Sequence, residues 1–546
     1  NLPGGGNVTE ATASGTLADG DTTIVNADGT VSAVVGSQIG WIITLGSSDT
    51  RSGLDYYQGS AVDSSGNVYL VGYTTTEGQG NREAVVSKYN SSGVLQWQRL
   101  LGDSNPNYAY GVVLDSSGDV YVAGIGDSYT GLIFKYNSSG TIVWQKTVPY
   151  MQNALIANDS SNNIYVAGTY YTGGVPNNNR NWLIMKLNSS GSLTWAREMT
   201  GSGTEYVSGI AVDSSGNVFV TGHTNTSSVN NYDVGIAKYN SSGTLQWHYY
   251  LGSTGYEMSA GIEVDSSGNA YTLSYSYASG SNDTSNGNII LTKWNSSGTI
   301  VWQRTLGDSA VAETLNTNSN SMAIDSSNNI YIAFYGDYSQ GSGSRDCVFA
   351  KYNDSGVIQW QRFFGGSDTD ENNGVSVDNS GYIYITGQTE STETVSNSRS
   401  DGFAVKLPDD GTGTGTYGDF TYMESNLTDA AGGISRSSGG LTDGSSSASP
   451  SNSSMTSAAG TVASETTPIT STNLTSENFI GISNGAYTNG QTATIQLIGS
   501  VDDAQSGLTP GQKYYVQGDG TLSETADDPS VFAGTAVSST SLVVKS

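Results

Sequence analysis

Tyrosine is the commonest aromatic residue, with 34 copies in 546 residues, and many tyrosines sit where polar stretches interrupt short apolar runs. Tyr108, Tyr170, Tyr171, Tyr206, Tyr232, Tyr275, Tyr277, Tyr335 and Tyr338 are the candidates for a ligand-binding surface. Tyrosine offers a large, stiff, amphipathic contact, and the surrounding Ser, Gly and Asn offer adaptable hydrogen bonds. The competing reading of any one of them is a ring that packs its own loop, because exposed aromatics are ordinary surface.

Catalytic groups are scarce by comparison. The two histidines, His223 and His248, are isolated, so a hydrolase triad or a His-rich metal site has little to draw on. Asp368, Asp370 and Glu371 cluster in the sequence, but a solvated loop explains them better than a glycosidase carboxylate pair. The turn Asp63-Ser64-Ser65-Gly66-Asn67 offers oxygens at alternate positions. It has one carboxylate, whereas calcium takes six or more ligands, so Asp63 reads as a cap on the turn's own N–H groups. Asn-Ser-Ser at Asn90, Asn137, Asn188, Asn240 and Asn295 fits the glycosylation pattern, yet each copy falls where a tight turn is needed. The expectation is a chain with no catalytic residue, metal or cofactor, hence not an enzyme.

The bulk composition narrows the setting. A net charge of −29 opposes nucleic acid binding, which needs Lys and Arg to neutralise phosphates. Cys347 is the single cysteine, so no intrachain disulfide can form. No apolar run is long enough for a membrane span. The first residues, Asn1 to Gly6, do not read as a signal peptide, and the start without Met reads as a processed form.

The elements that must position these residues are repeated. Asp-led turns begin at Asp63, Asp115, Asp159, Asp213, Asp265, Asp325 and Asp378. Each is followed by a Lys marker: Lys88, Lys135, Lys186, Lys238, Lys293, Lys351 and Lys406. After six of the markers come an Asn-led turn and a strand with Trp97, Trp144, Trp195, Trp247, Trp302 or Trp360. In the first unit the strands are expected at Gln58–Val62, Asn67–Tyr73, Glu83–Tyr89 and Val94–Leu101. A repeat of about fifty residues holding four strands reads as a β-propeller blade. The seventh unit lacks its Trp strand, and Trp41-Ile42-Ile43-Thr44-Leu45-Gly46 matches Trp302-Gln303-Arg304-Thr305-Leu306-Gly307. The N-terminal strand is therefore expected to complete the last blade and close the ring, removing the free edge. Seven equivalent lysines argue for scaffold, through Lys–Asp contacts.

Asp-Ser-Ser-Gly-Asn-Val-Tyr and Ala-Lys-Tyr-Asn-Ser-Ser-Gly-Thr-Leu-Gln-Trp together resemble the seven-bladed propeller repeats of secreted bacterial proteins. The fold class expected is all-β: a seven-bladed β-propeller closed by an N-terminal strand, plus small β-barrel or sandwich modules from the two chain ends. That family implies no single activity. The repeated turns share one face. Recognition is expected on the other, in the variable loops Tyr170 to Asn181, Ser274 to Asn288, Tyr335 to Asp346 and Gln388 to Asp401, which with their neighbours also carry Tyr110 and Tyr256.

Four regions follow: an N-terminal β-hairpin module over 1–36, the propeller over 37–411, a Ser/Thr/Gly-rich segment over 412–475, and a C-terminal β-barrel-like module over 476–546. The third has linker composition, but is expected to be an ordered assembly segment laid along its own domain or a neighbouring subunit. The two ends share spacing: Leu17-Ala18-Asp19-Gly20 precedes Asp28-Gly29-Thr30 as Leu508-Thr509-Pro510-Gly511 precedes Asp519-Gly520-Thr521.

Glu477 to Ser483, Gly507 to Val516 and Ala533 to Ala536 resemble attachment modules of virion structural or tail-fibre proteins of marine cyanobacterial phages. The resemblance implies a non-enzymatic virion protein (tail fibre, spike or capsid appendage) on the extracellular particle surface. Its partners would be other virion proteins, sister subunits in a homo-oligomer with a trimer favoured, and a host-surface glycan. The alternatives are a capsid- or tube-decorating protein, a cell-surface adhesin or filament subunit, and a polysaccharide-degrading propeller enzyme.

Overall fold

The computed structural model describes residues 8–544 except 20, 27–29, 35, 47–53, 76–81, 128, 175–178, 202, 226–231, 254, 278–286, 308–312, 315–320, 337–344, 392–399, 418–419, 426, 433, 439–441, 447, 449–450, 453–454, 460–463, 473–478, 489–490, 498–499, 519 and 527–530. It divides into one unit over Trp41–Thr467 and another built from Asn1–Gly40 and Pro468–Ser546. Every regular element among the described residues is a strand.

The larger unit holds seven antiparallel sheets among the described residues. The first runs Asp55–Val62, Val68–Thr74, Glu83–Tyr89, Leu95–Gly102, each strand paired with the next. Its first strand starts three residues before the expected Gln58 because Asp55 to Tyr57 pair with Thr74 to Gly72 across a bulge. The same order recurs in sheets whose first strands begin at Asn107, Met151, Glu205, Tyr256 and Asp370. In the sheet before Asp370 the first strand comes as two pieces, Glu313–Thr314 and Met322–Ile324, both paired with Ile330–Gly336. The sheet that begins at Asp370 takes its fourth strand from the start of the unit, with Trp41 opposite Lys406 and Leu45 opposite Gly402.

Three contacts recur from sheet to sheet. Asp63 Oδ1 accepts the N–H groups of Ser65 and Asn67, both at 2.9 Å, and Oδ2 accepts Asn67 Nδ2 at 2.8 Å. Asp115, Asp159, Asp213, Asp265, Asp325 and Asp378 accept the same pair of N–H groups. The turn needs a left-handed residue, supplied by Gly66 at φ 75° and by Asn162 and Asn328 at φ 62° in two copies. Second, each marker lysine lies over an aromatic ring of the neighbouring strand, from Lys88 over Tyr69 at 4.9 Å to Lys406 over Tyr384 at 5.7 Å. The expected Lys–Asp pairs form at Lys135–Asp119 (2.8 Å), Lys186–Asp159 (3.8 Å), Lys293–Asp354 (2.5 Å) and Lys351–Asp409 (3.1 Å). Lys238 and Lys406 instead donate to the carbonyls of Ser296 and Ser91. Third, the indole N–H of each Trp strand reaches a turn of the next repeat. The series is Trp97 to Ser138, Trp144 to Ser189, Trp195 to Ser241, Trp247 to Ser296, Trp302 to Asp354 and Trp360 to Asp409. Trp41 joins it, donating to the Ser91 carbonyl at 3.2 Å.

The Ser/Thr/Gly-rich segment adds an outer strand to each sheet. Phe420–Glu424, Thr428–Ala431, Ser435–Ser438, Thr442–Ser445, Ser451–Asn452, Thr456–Ala459 and Ser464–Thr472 cover the outer edges in reverse order of the sheets, ending on the strand that contains Trp41. Backbone pairing supplies most of each contact, so a nearly featureless sequence suffices.

Among the described residues the smaller unit has two five-stranded sheets. In one, strands from the two chain ends pair directly, Val8–Thr12 with Thr492–Gln496 and Thr22–Val25 with Phe479–Ser483. Ile24, Ile482, Val516 and Leu542 share its buried core.

Candidate functional site

The strand ends opposite the Asp turns carry the side chains that differ between sheets. Where the second strand of the first sheet ends and the next sheet begins, Tyr56 stacks on Tyr73 with centroids 4.7 Å apart, and Tyr73 meets Tyr108 edge-on at 4.8 Å. The Arg82 guanidinium lies 5.5 and 5.4 Å from the Tyr73 and Tyr108 ring centroids and donates to the Tyr108 hydroxyl. Tyr110 stacks behind Tyr108 at 6.1 Å. All five side chains are half-buried. Burial, with Tyr56 adding, pushes the Tyr73 phenol well above its usual range against the pull of Arg82.

A second cluster repeats the arrangement two sheets on. Arg180 lies 5.2 Å from the Tyr171 centroid and 5.0 Å from that of Tyr206, and donates to the Tyr206 hydroxyl. Tyr129 meets Tyr171 at 5.2 Å. Tyr206 stacks on His223 at 4.8 Å, His223 meets Tyr232 at 5.3 Å, and Tyr232 meets Tyr256 at 6.0 Å. His223 is buried, with Nδ1 3.4 Å from Ser208 Oγ, and burial lowers its pKa to about 4, so it stands neutral under the rings. Electrostatically, each cluster sets a cation against two ring faces, a geometry that favours the cation without neutralising it.

Of the nine tyrosines singled out in the sequence, Tyr108, Tyr171, Tyr206 and Tyr232 belong to these clusters. Tyr170 is half-buried and packs on the core around Val166 and Leu183. Tyr275 is corrected from surface to core: it is 6% exposed and its hydroxyl reaches Met258 Sδ at 2.8 Å. Tyr335 is half-buried opposite Cys347 and Thr314. The backbone of Tyr277 pairs with Tyr256 and Gly287. Tyr338 and much of the four variable loops lie outside the described residues. Sequence reading passed over Arg82, Arg180, Tyr56, Tyr73 and Tyr129. A usable signal was present, because an arginine opens or immediately precedes the third strand in three repeats, at Arg82, Arg180 and Arg345. Arg345 takes a different partner, the carboxylate of Glu371.

Several carboxylates at this end hold loops. Asp370 is not in a solvated loop as expected: it is fully buried, accepting Gly366 N–H at 2.7 Å and the Ser391 hydroxyl at 2.8 Å, and burial raises its pKa to about 6. Glu257 accepts Ser253 N–H at 3.1 Å. Glu205 accepts the Thr224 hydroxyl at 3.2 Å, while its Oε2 has no partner among the described residues. Burial raises Glu205 to about 7 despite the opposing bonds from Thr224, Gly201 and Gly203. The first strands of the sheets together line a channel of about 400 Å³ walled by Gly59, Tyr110, Ile156, Ile210, Ala323 and Val375 among others, with Glu263 its one carboxylate among the described residues.

Residues 194–228 and 359–393 match a family model, SBBP, a beta-propeller repeat. The larger unit is a β-propeller. Each matched stretch runs from the fourth strand of one blade to the second strand of the next. No curated protein matches the sequence. Solved structures similar to the propeller include ulvan lyase, a polysaccharide lyase bound to a GlcA–Rha3S glycan. It has 11% identity and a TM-score of 0.37, over 72% of this chain and 96% of that one. Polysaccharide lyase Uly1 has 8% identity and a TM-score of 0.41, over 65% and 90%. The N11 neuraminidase-like protein of A/flat-faced bat/Peru/033/2010 has 11% identity and a TM-score of 0.36, over 72% and 98%. The expectation of a non-enzymatic chain does not stand, because similar propellers include two polysaccharide lyases and a luciferin-regenerating enzyme. At these identities the likeness assigns no reaction to this chain.

Proposed function

We propose that the propeller binds carbohydrate through the face bearing the Tyr–Arg clusters, and that it does so as a seven-bladed ring. The ring reading is supported by Trp41, which occupies the fourth strand beside Lys406 and bonds to the Ser91 turn as the six other fourth-strand Trp residues bond to their next repeats. The recognition reading is carried by one observation: two brackets in which an arginine lies between two tyrosine rings, half-buried except for the buried Tyr171, at the end where the repeats stop agreeing. Stiff aromatic faces suit the apolar faces of sugar rings, and a guanidinium held between them suits hydroxyl or acidic substituents. The setting we favour is a virion appendage whose terminal unit attaches to the particle and to sister subunits, with a host-surface glycan as the propeller's ligand. That setting rests on the terminal motifs.

The test is binding of the full chain to host-envelope polysaccharides, with released sugar measured in the same samples. Retention by the native chain, weakened about tenfold or more in Tyr108→Ala with Tyr206→Ala, is the expected result. Equal retention of native and variant chains would sink the proposal. Product release would show that the bound glycan is also turned over.

A further inference from the structure

The strap of outer strands is read in steps of seven. In six blades the residue two places after the Trp faces a strap residue: Arg362 faces Glu424, Arg304 faces Ala431, Tyr249 faces Ser438, Arg197 faces Ser445, Lys146 faces Asn452 and Arg99 faces Ala459. The blade positions are spaced irregularly, 47 to 58 residues apart, while the strap partners are always seven apart. An apolar residue recurs on the same period, at Phe420, Leu427, Ile434, Leu441, Ala448, Met455, Val462 and Ile469, with mostly small polar residues between.

The period has a physical seat. Leu427 is buried in one cluster with Leu306 and Phe363, the outer strands of two adjacent blades. Phe420 stacks on Phe364 at 5.0 Å. Ala448 joins Val148 and Ala196, again from adjacent blades, and Ile434 and Met455 pack on their own inter-blade clusters. The glutamine after the Trp fixes the backbone at the seat: Gln361 Nε2 donates to the Leu427 carbonyl at 2.9 Å, and Gln145 Nε2 to that of Met455 at 2.8 Å. Gln145 Oε1 in turn accepts the Met455 N–H at 3.0 Å.

We propose that the propeller rim is a row of equivalent binding sites for an extended peptide, each site taking one seven-residue unit led by an apolar side chain. The segment from 420 to 472 fills these sites in this chain. Recognition is by strand addition: the blade edge gives affinity through the backbone, and the inter-blade seat gives register. Because the backbone pairing ignores side chains and each seat seen among the described residues takes a single apolar group, the units are interchangeable among blades.

Two full-length variants of unchanged length and composition test this. One exchanges 427–433 with 455–461, which trades Leu for Met at the seats, a volume-conserving change. The other rotates each of those two units by four places, so that Leu427 and Met455 leave their seats. Amide hydrogen exchange over the altered segments is the readout, because it reports local opening whether or not global stability moves. Exchange in the swapped variant is expected to stay within about threefold of native, and in the rotated variant to rise about tenfold or more. Equal loss of protection in both would show that each unit fits its own blade alone and overturn the proposal. Native-like protection in the rotated variant would overturn it as well, by showing that the seats do not set register.

Discussion

At one end of the propeller's strands seven aspartates hold seven turns in the same way, and each Trp strand bonds to the next repeat. At the other end two blade junctions carry a tyrosine–arginine bracket, a third pairs Arg345 with Glu371, and buried acids fasten loops elsewhere. The backbone is common to both ends, so the contrast lies in what the side chains are asked to satisfy. A tight turn leaves N–H groups that must find acceptors in every copy, and the same Asp is the local answer each time. The opposite connections have no such shared demand, so each is free to take its own chemistry.

The comparison can be broken, most forcefully, at the repeated end. Trp41→Ala empties a fully buried site and removes the bond to Ser91. It is expected to cost about 3–5 kcal/mol of stability in denaturant unfolding. A cost below about 1 kcal/mol would mean that Trp41 is not equivalent to its six counterparts. Asp115→Ala leaves the N–H groups of Ser117 and Asp119 and the Tyr121 hydroxyl without their acceptor, for an expected loss of about 1–3 kcal/mol. Neither change is expected to alter glycan binding in chains that remain folded.

At the variable end the signs reverse. Tyr206→Ala is expected to weaken polysaccharide binding about tenfold, or ~1.4 kcal/mol, with a smaller change in thermal stability. Tyr275→Phe, at a core position, should leave binding unchanged. The last effect is electrostatic. The Glu205 carboxyl is raised to about 7 in the folded chain from an ordinary value near 4.5. The native chain therefore holds its stability relative to Glu205→Gln below the unfolded value and loses it as pH rises through 7. Melting the two proteins at pH 5 and pH 8 should show the variant gaining on native at the higher pH. A gap that is the same at both pH values would remove Glu205 from the titrating groups.

The sequence made the repeated end legible because its demands are local. Asp63 and Gly66 lie within one turn, and Trp41 could be matched to Trp302 by its neighbours alone. The site was half legible. Tyr108, Tyr206 and Tyr232 stood out by residue type, but Arg82 meets Tyr108 only through pairing between blades, and Tyr275 turns inward on a strand whose alternation the polar serines around it obscured. The strap has the composition of a linker, and the expectation of an ordered segment had to be set against that composition. Strands held by backbone bonds need few apolar side chains, and one apolar residue in seven matches neither the period of a helix nor that of a strand.

The strap also bears on how the molecule comes apart. Arg99 and Ala459 pair across most of the chain, and contacts of such long sequence separation are costly to close early in folding. Its seats exist only once neighbouring blades stand side by side, so it must be the last layer to settle. Built of short steps, it can leave one step at a time while the sheets beneath stay paired. Resistance to proteases or heat would then be set first at the rim, by how fast a polar ribbon with a single apolar anchor per step peels and re-anneals.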